Sequence, residues 1–515
     1  MIMMMKPRMI LLLLALSLVC GLCACAAPAD AEAPAQEEPA ASVPENAVRD
    51  GTQTAVQFTD EAAVISGSGC EADGTALTIS ESGVYRLSGS CADGSVKVQK
   101  GATGVTLILD GLTLTSADTA PITCGKSSQV TIEAAAGTVN TLSDSERNND
   151  NAYPANENAE NAVLKCKDGS QVTLCGTGAL ILTANGKNGI KSGASTDENG
   201  EASLTIRELT LTISAPVNDA INAEQLLTIE SGGLTISAAD DAIHCDYTLQ
   251  IGAEGTDGPA ISITDCYEGL EAAALNVASG NIRIRASDDC LNAANSDLSG
   301  FAFSMTISGG TINAYTTEGD GFDSNGSMTI SGGTICVWTA NTADNQPLDA
   351  DGTITITGGT VLAAGGSAGM GMKLSASQPY VTFGQSGGMQ PGGRGADALI
   401  TAGSTLAISD GTDTLFSMEA PCGARLIFFS SPELTEGGSC TLLADGESAG
   451  TADAQTGESQ SGFGDMPGGR PGGFDPNGEA PAGMPDGETP PTPPDGDTPP
   501  EKPDGAQAPS DSGSV

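Results

Sequence analysis

The chain has 515 residues and a formal charge of −45, from 65 acidic against 20 basic residues. That balance excludes nucleic acid and anionic lipid as partners for the body of the protein and favours multivalent cations. Aromatics make up 3% of the chain against 68 glycines. A core of large rings is therefore excluded, and the abundance of Thr, Ile, Val, Ser and Gly suits short strands joined by tight turns.

At the amino terminus, Lys6 and Arg8 precede an apolar run from Met9 to Val19, too short to span a bilayer comfortably. Leu22-Cys23-Ala24-Cys25 follows, with the pattern of a bacterial lipobox. Residues 1–25 therefore read as a lipoprotein signal peptide with Cys25 as the lipidated residue; an ordinary signal peptide or a membrane anchor is the alternative. Residues 26–55 are rich in Ala, Pro and Glu and read as a flexible linker. Eleven cysteines follow Cys25 with no CxxC pair among them, so a zinc knuckle is not expected. Cys70 with Cys91, and Cys422 with Cys440, are spaced for local bridges; the others read as small buried residues.

From about 60 to 140 the text alternates strand and turn, and 143–160 is a polar excursion. A short phrase then repeats with apolar anchors at Ile190, Ile221, Ile243, Leu270, Leu291, Phe322 and Leu348, in steps of 31, 22, 27, 21, 31 and 26 residues. Repeats on this scale imply a stacked array. Each full unit reads strand, Gly-Gly corner, strand, acidic turn and short third strand, as in Met328–Ser331, Gly332-Gly333 and Thr334–Trp338. Three short strands per unit predict an all-β fold, a right-handed parallel β-helix over 56–396, with each rung pairing its backbone to the next at about 4.8 Å. A small C-terminal strand segment is expected over 397–446 and a disordered Pro/Gly/Asp-rich tail over 447–515.

Alternation decides what faces out. The anchor and the small residue two positions later point inward, so the residue between them points outward. That column reads Lys191, Asn222, His244, Glu271, Asn292, Asp323, Asp349 and Lys373. A second column lies two residues before the anchor: Asn188, Asp219, Asp241, Glu268, Asp289 and Asp320. A third lies three after it: Glu224, Asp246, Asn325 and Asp351, with Asp240, Asp288 and Asp344 nearby. Like charges one rung apart repel by roughly 1 kcal/mol in water and about 3–4 kcal/mol at an effective dielectric of 20. Either the acids splay into solvent or a cation bridges them, and hard oxygen donors suit Ca²⁺. Asp and Asn also favour turns for local reasons, so a simple solvated face is the competing account. The expected calcium ligands are Asp219, Glu224, Asp240, Asp241, Asp246, Glu268, Glu271, Asp288, Asp289, Asn292, Asp320, Asp323, Asn325, Asp344, Asp349 and Asp351. His244 reads as a surface residue.

Asn281-Ile-Arg-Ile-Arg285 places Arg283 and Arg285 side by side on an outer surface. Two guanidinium groups there suit carboxylates of a uronic-acid polymer; offsetting the acidic face is the other account. Tyr315 and Trp338 are candidate platforms for sugar rings.

Asp219–Ala223, Leu234–Ile243, Asp320–Gly326, the SGGT corners, Thr141–Asp144 and Ser430–Leu434 together resemble the clostridial carbohydrate-binding domain-containing β-helix proteins. The resemblance covers about 60 to 445. It implies a calcium-binding parallel β-helix, similar in fold to pectate and related polysaccharide lyases, that binds cell-wall polysaccharide of the polygalacturonate or cellulose class. Carried onto this chain, the calcium ligands would be the corner and outward acids; at the rungs of Lys191 and Lys373 the acids give way to lysine. The expectation is a non-catalytic, lipid-anchored, monomeric surface protein that binds polysaccharide through calcium and has no nucleic-acid partner. Two alternatives are a calcium-dependent lyase, with Lys191, Lys373, Arg283 or Arg285 as base, and an adhesin that calcium rigidifies.

Overall fold

A computed structural model describes residues 53–298, 300–340, 345–365, 374–384 and 398–459. Every regular element in it is a strand. Thirty-four strands join one sheet system, most of them in parallel pairs, and four more form a separate antiparallel sheet.

The parallel system is a β-helix with three columns of stacked strands. The first runs from Ala76–Ile79 through Ser95–Val98, Ile122–Cys124, Ala162–Cys166, Asn188–Ser192, Ile221–Ala223 and on to Phe322–Ser324. The second includes Ser203–Ile206, Leu226–Ile229, Ser304–Ile307, Ser327–Ile330 and Ile354–Ile356. The third includes Thr210–Ala215, Gly233–Ala238, Asn281–Ala286, Thr311–Thr316, Thr334–Thr339 and Thr360–Gly365.

Register aligns like with like. Ile190, Ile221, Ile243, Leu270, Leu291, Phe322 and Leu348 stack as one internal column, and each is 0% exposed. Burial of each such side chain stabilises the rung by about 1.5–3 kcal/mol. The small residues two positions on, from Ser192 to Ser324, are buried beside them. Small size is also required just before the anchor. A Cβ on Gly321 would lie 2.4 Å from the Pro347 carbonyl oxygen and 2.1 Å from Val337 Cγ1. The Gly-Gly corners answer a different demand: Gly333 has φ +88°, where an L side chain is strained.

The ends are closed by antiparallel pairing. Thr54–Phe58 pairs with Ala63–Ser66 at one end. At the other, Leu426–Ser430 runs antiparallel to both Thr360–Gly365 and Leu374–Phe383. The small sheet joins Thr405–Ser409, Thr414–Glu419, Ser439–Ala444 and Glu447–Asp453. The expected tail therefore begins later than 447: Glu447–Asp453 and Gln455–Glu458 are strands. The turn into the first is Asp445-Gly446, with φ +50° and +83°, a signature of two-residue hairpins.

A second apolar cluster lies under this cap and contains Trp338, Leu362, Ala364, Val381, Phe383, Leu406, Ile427 and Phe429. All eleven described cysteines are free thiols and ten are buried, so Cys70 and Cys91, and Cys422 and Cys440, are unbridged. Cys124, Cys166 and Cys245 fill inward positions of the first column.

Candidate metal centre

The outward column forms as alternation requires. Lys165, Lys191, Asn222, His244, Glu271, Asn292 and Asp323 are successive register partners, and Asp349 follows after the Phe322–Leu348 bridge. The corner residues stack too. The amide just after each corner donates to the corner carbonyl of the following rung: Ala220 to Asp241, Ala242 to Glu268, Gly269 to Asp289, Cys290 to Asp320 and Gly321 to Gln346.

These corners are more enclosed than a solvated turn. Asp219 is 4% exposed and Asp241 9%. Their carboxylates also serve the backbone. Asp219 Oδ1 accepts the Asp241 amide at 3.3 Å, Asp289 Oδ1 accepts the Asp320 amide at 2.6 Å, and Asp320 Oδ1 accepts the Gln346 amide. One oxygen of such a carboxylate is structural and the other remains for a ligand or a side chain. Burial, reinforced by neighbouring acids, raises Asp241, Asp289 and Asp320 to about 7, Glu268 to about 8 and Asp323 to about 6.

The column divides into two halves. In the first, bases and amides already balance the acids. Lys191 Nζ contacts Glu224 Oε1 at 3.0 Å and Asn222 Oδ1 at 2.8 Å. Asn222 Nδ2 donates to Asp219 Oδ2 at 2.7 Å. His244 is not a free surface residue. Its Nδ1 meets Glu271 Oε2 at 2.5 Å and Asp241 Oδ2 at 3.2 Å, and its Nε2 meets Asp246 Oδ1 at 2.9 Å. Burial works against the imidazolium, but the three carboxylate contacts hold it well above the usual histidine range.

In the second half no base intervenes among the described residues. One oxygen from each of Asp320, Asp323 and Asp349 lies within 4.8 Å of the others. Two buried amide oxygens, on the rungs either side of Phe322, have no hydrogen-bond partner among the described residues, Asn292 Oδ1 and Gln346 Oε1. Asn292 Nδ2 donates to Glu268 Oε2 at 3.0 Å, which fixes the orientation of that amide. Asn292 aligns with Asp323 in the outward column, and the Gln346 backbone N–H donates to Asp320 Oδ1. Carboxylate and amide oxygens with no nitrogen or sulfur among them are the donor set of a hard cation.

Of the remaining expected ligands, Asp288 and Asp351 are near enough for their charges to act on Asp320 and Asp323. Asp240, Asn325 and Asp351 are exposed. Asp288 lies beside Tyr267, whose hydroxyl it pushes above the usual range. Asp344, Lys373 and Cys25 lie outside the described residues.

The sugar-contact residues lie on the third column of strands, the acids on the first. Ile282 and Ile284 point inward and leave Arg283 and Arg285 exposed. The Arg285 guanidinium sits 5.1 Å from the Tyr315 ring centroid. Trp338 is 1% exposed beneath the antiparallel cap, so it offers no face for a sugar to stack on. Its position is outward on the sheet, but a second layer covers it. Sequence reasoning also passed over Lys97, Thr123 and Lys165 in the first column. Lys97 and Thr123 line a polar cleft of about 450 Å³ with Asp118, and with Glu157 and Asn158 from the excursion.

A parallel β-helix with a ladder of acids on one face defines the class of this protein. Residues 73–369 match the family model described as carbohydrate-binding domain-containing protein, and the chain belongs to that family. A relative of the same description from Acetivibrio thermocellus is 34% identical over 115 residues. The match spans 22% of this chain and 39% of the relative, so well under half of that protein's length is matched. Among solved structures, the gadolinium derivative of the polysaccharide lyase-like protein from C. thermocellum aligns at 22% identity and a TM-score of 0.36, covering 59% of this chain and 97% of that one.

Proposed function

We propose that this protein is an exported, non-catalytic polysaccharide-binding protein, tethered through Cys25, whose acidic face holds calcium between Asp289 and Asp351. The observation that carries the calcium reading is the oxygen cluster of Asp320, Asp323 and Asp349 beside the unpartnered oxygens of Asn292 and Gln346. Calcium there would neutralise the repulsion along the column and present open coordination positions to sugar hydroxyls or carboxylates. Membership of the carbohydrate-binding family supports a glycan partner. The mixed donors and acceptors of the Lys97 cleft, and the exposed Arg283 and Arg285, extend the polar surface for a polymer.

Distance argues against a lyase at this centre. A base must reach the proton beside a metal-held carboxylate. Lys191 is five rungs from Asp323 along the column, about 24 Å at 4.8 Å per rung. Arg283 and Arg285 belong to the third column of strands, the acids to the first.

The test is retention on polygalacturonate and on cellulose, in calcium and after EGTA. Retention on polygalacturonate that disappears with EGTA and returns with calcium is the expected result. Binding indifferent to EGTA would remove calcium from the reading, and failure to bind either polymer in calcium would remove the polysaccharide class. Unsaturated product absorbing near 235 nm would replace binding by cleavage.

A further inference from the structure

The chain has one histidine, and it stands in the outward column between Asn222 and Glu271. We propose that Asp241, His244 and Glu271 form a second metal site, for a divalent transition ion of the zinc or cobalt class and not for calcium.

The geometry of Nδ1 carries the argument. This nitrogen faces two carboxylate oxygens, Glu271 Oε2 at 2.5 Å and Asp241 Oδ2 at 3.2 Å. A single proton on Nδ1 aligns well with one of them; a metal ion binds all three atoms at once. The three donor atoms lie within 4.8 Å of one another. A tetrahedral site with bonds of about 2.0–2.1 Å has donor–donor edges of about 3.3–3.4 Å. The Nδ1 to Asp241 distance nearly meets that edge, and the Nδ1 to Glu271 distance needs to open by less than about 1 Å.

The other ring nitrogen is arranged as metal-ligating histidines require. Nε2 lies 2.9 Å from Asp246 Oδ1, so Nε2–H donates to that carboxylate, and the Nδ1 lone pair becomes the metal ligand once the Nδ1 proton is displaced. Imidazole suits zinc, copper, nickel and iron-group ions, whereas calcium takes oxygen. Lys191 is committed to Glu224 and Asn222, so it does not compete for the three donors. The side chains are 20%, 12% and 16% exposed for His244, Asp241 and Glu271. A fourth position is thus open to water or a sugar oxygen. Metal entry replaces the Nδ1 proton, which passes to solvent; no bond or oxidation state of the protein otherwise changes.

The inference stands apart from calcium binding at Asp320, and the experiment keeps the two separate. The full chain is stripped with EDTA and titrated with Co²⁺ in millimolar calcium, followed by visible d–d absorption and calorimetry. One equivalent that excess calcium does not displace is expected. His244→Gln should lose that equivalent and keep its calcium-induced rise in melting temperature, while Asp323→Asn should do the reverse. Asp246→Asn, which leaves all three ligands in place, should weaken Co²⁺ by about 10–100-fold. No Co²⁺ uptake by the wild type would overturn the site and leave the imidazolium as the only cation. Unchanged uptake by His244→Gln, or thiolate charge-transfer bands, would also overturn it.

Discussion

Calcium binding at the Asp320 cluster should be strongly coupled to protons. Calcium needs ionised carboxylates, yet burial holds Asp289 and Asp320 at about 7 and Asp323 at about 6. Near pH 7 a large share of Asp320, and of Asp289 where it is a ligand, carries a proton, so binding should release on the order of one proton. At pH 6 the same values give on the order of two protons, and at pH 8.5 almost none. Apparent affinity should therefore fall by roughly one to two orders of magnitude from pH 8.5 to pH 6, the larger figure holding if Asp289 is a ligand. The assay is calorimetric titration of the EGTA-treated protein with calcium, in buffers of low and high ionisation enthalpy, at pH 6, 7 and 8.5. Observed heats should diverge between buffers at pH 6 and 7 and converge at 8.5. Equal heats at pH 7, with an affinity flat across this range, would refute an enclosed carboxylate site and restore the simple solvated face.

Other outcomes follow from the same structure. Without metal, stability should fall as pH rises from about 5 to about 8. Asp241, Glu268, Asp289, Asp320 and Asp323 all titrate higher folded than unfolded, so the folded state binds more protons across that window. His244 acts in the same direction from about pH 6.5 upward. Thermal melts should show a calcium gain at pH 8 that shrinks at pH 5. Asp323→Asn should raise the melting temperature of the metal-free protein at pH 8 and abolish most of its calcium response, because it removes one of the repelling charges and a ligand. Trp338→Ala should cost about 3–5 kcal/mol, read by denaturant unfolding of the cap, and leave polysaccharide retention unchanged. A parallel loss of retention would return Trp338 to the binding surface. Phe322→Ala should destabilise by about 3–5 kcal/mol, since its ring fills the internal column beside the acid cluster.

The repeat fold was legible because its periods are simple. An anchor every 21–31 residues, with period-two alternation inside each short strand, sets the rung, the inward column and the outward column together. The register of Lys191, Asn222, His244, Glu271, Asn292 and Asp323 follows from nothing else. What alternation cannot reveal is what lies on the far side of an outward residue. Thr334–Thr339 has the same pattern whether its outer face meets water or a second sheet, so Trp338 read as a surface ring. The corner acids were hidden similarly. Asp219 looks like an ordinary turn residue until the Asp241 amide that its Oδ1 accepts is placed, and Asp241 until His244 is placed against its Oδ2. His244 needed three dimensions, because Glu271 comes from the next rung, 27 residues away. The strands after 446 did carry a signal in Asp445-Gly446, but their Ser, Gly, Glu and Gln content matched the composition of the chain beyond.

The outward column has one further consequence. Each rung contributes a single outward residue between two buried ones, and the interior is the same kind of apolar stack on every rung. Surface chemistry is therefore written one position at a time, as Lys, Asn, His, Glu, Asn and Asp, while the hidden layer stays constant. A lineage or a designer can exchange a letter of that row without reopening the core. The same rod can then carry a cationic stretch, a histidine clasp and an anionic stretch in sequence along one edge.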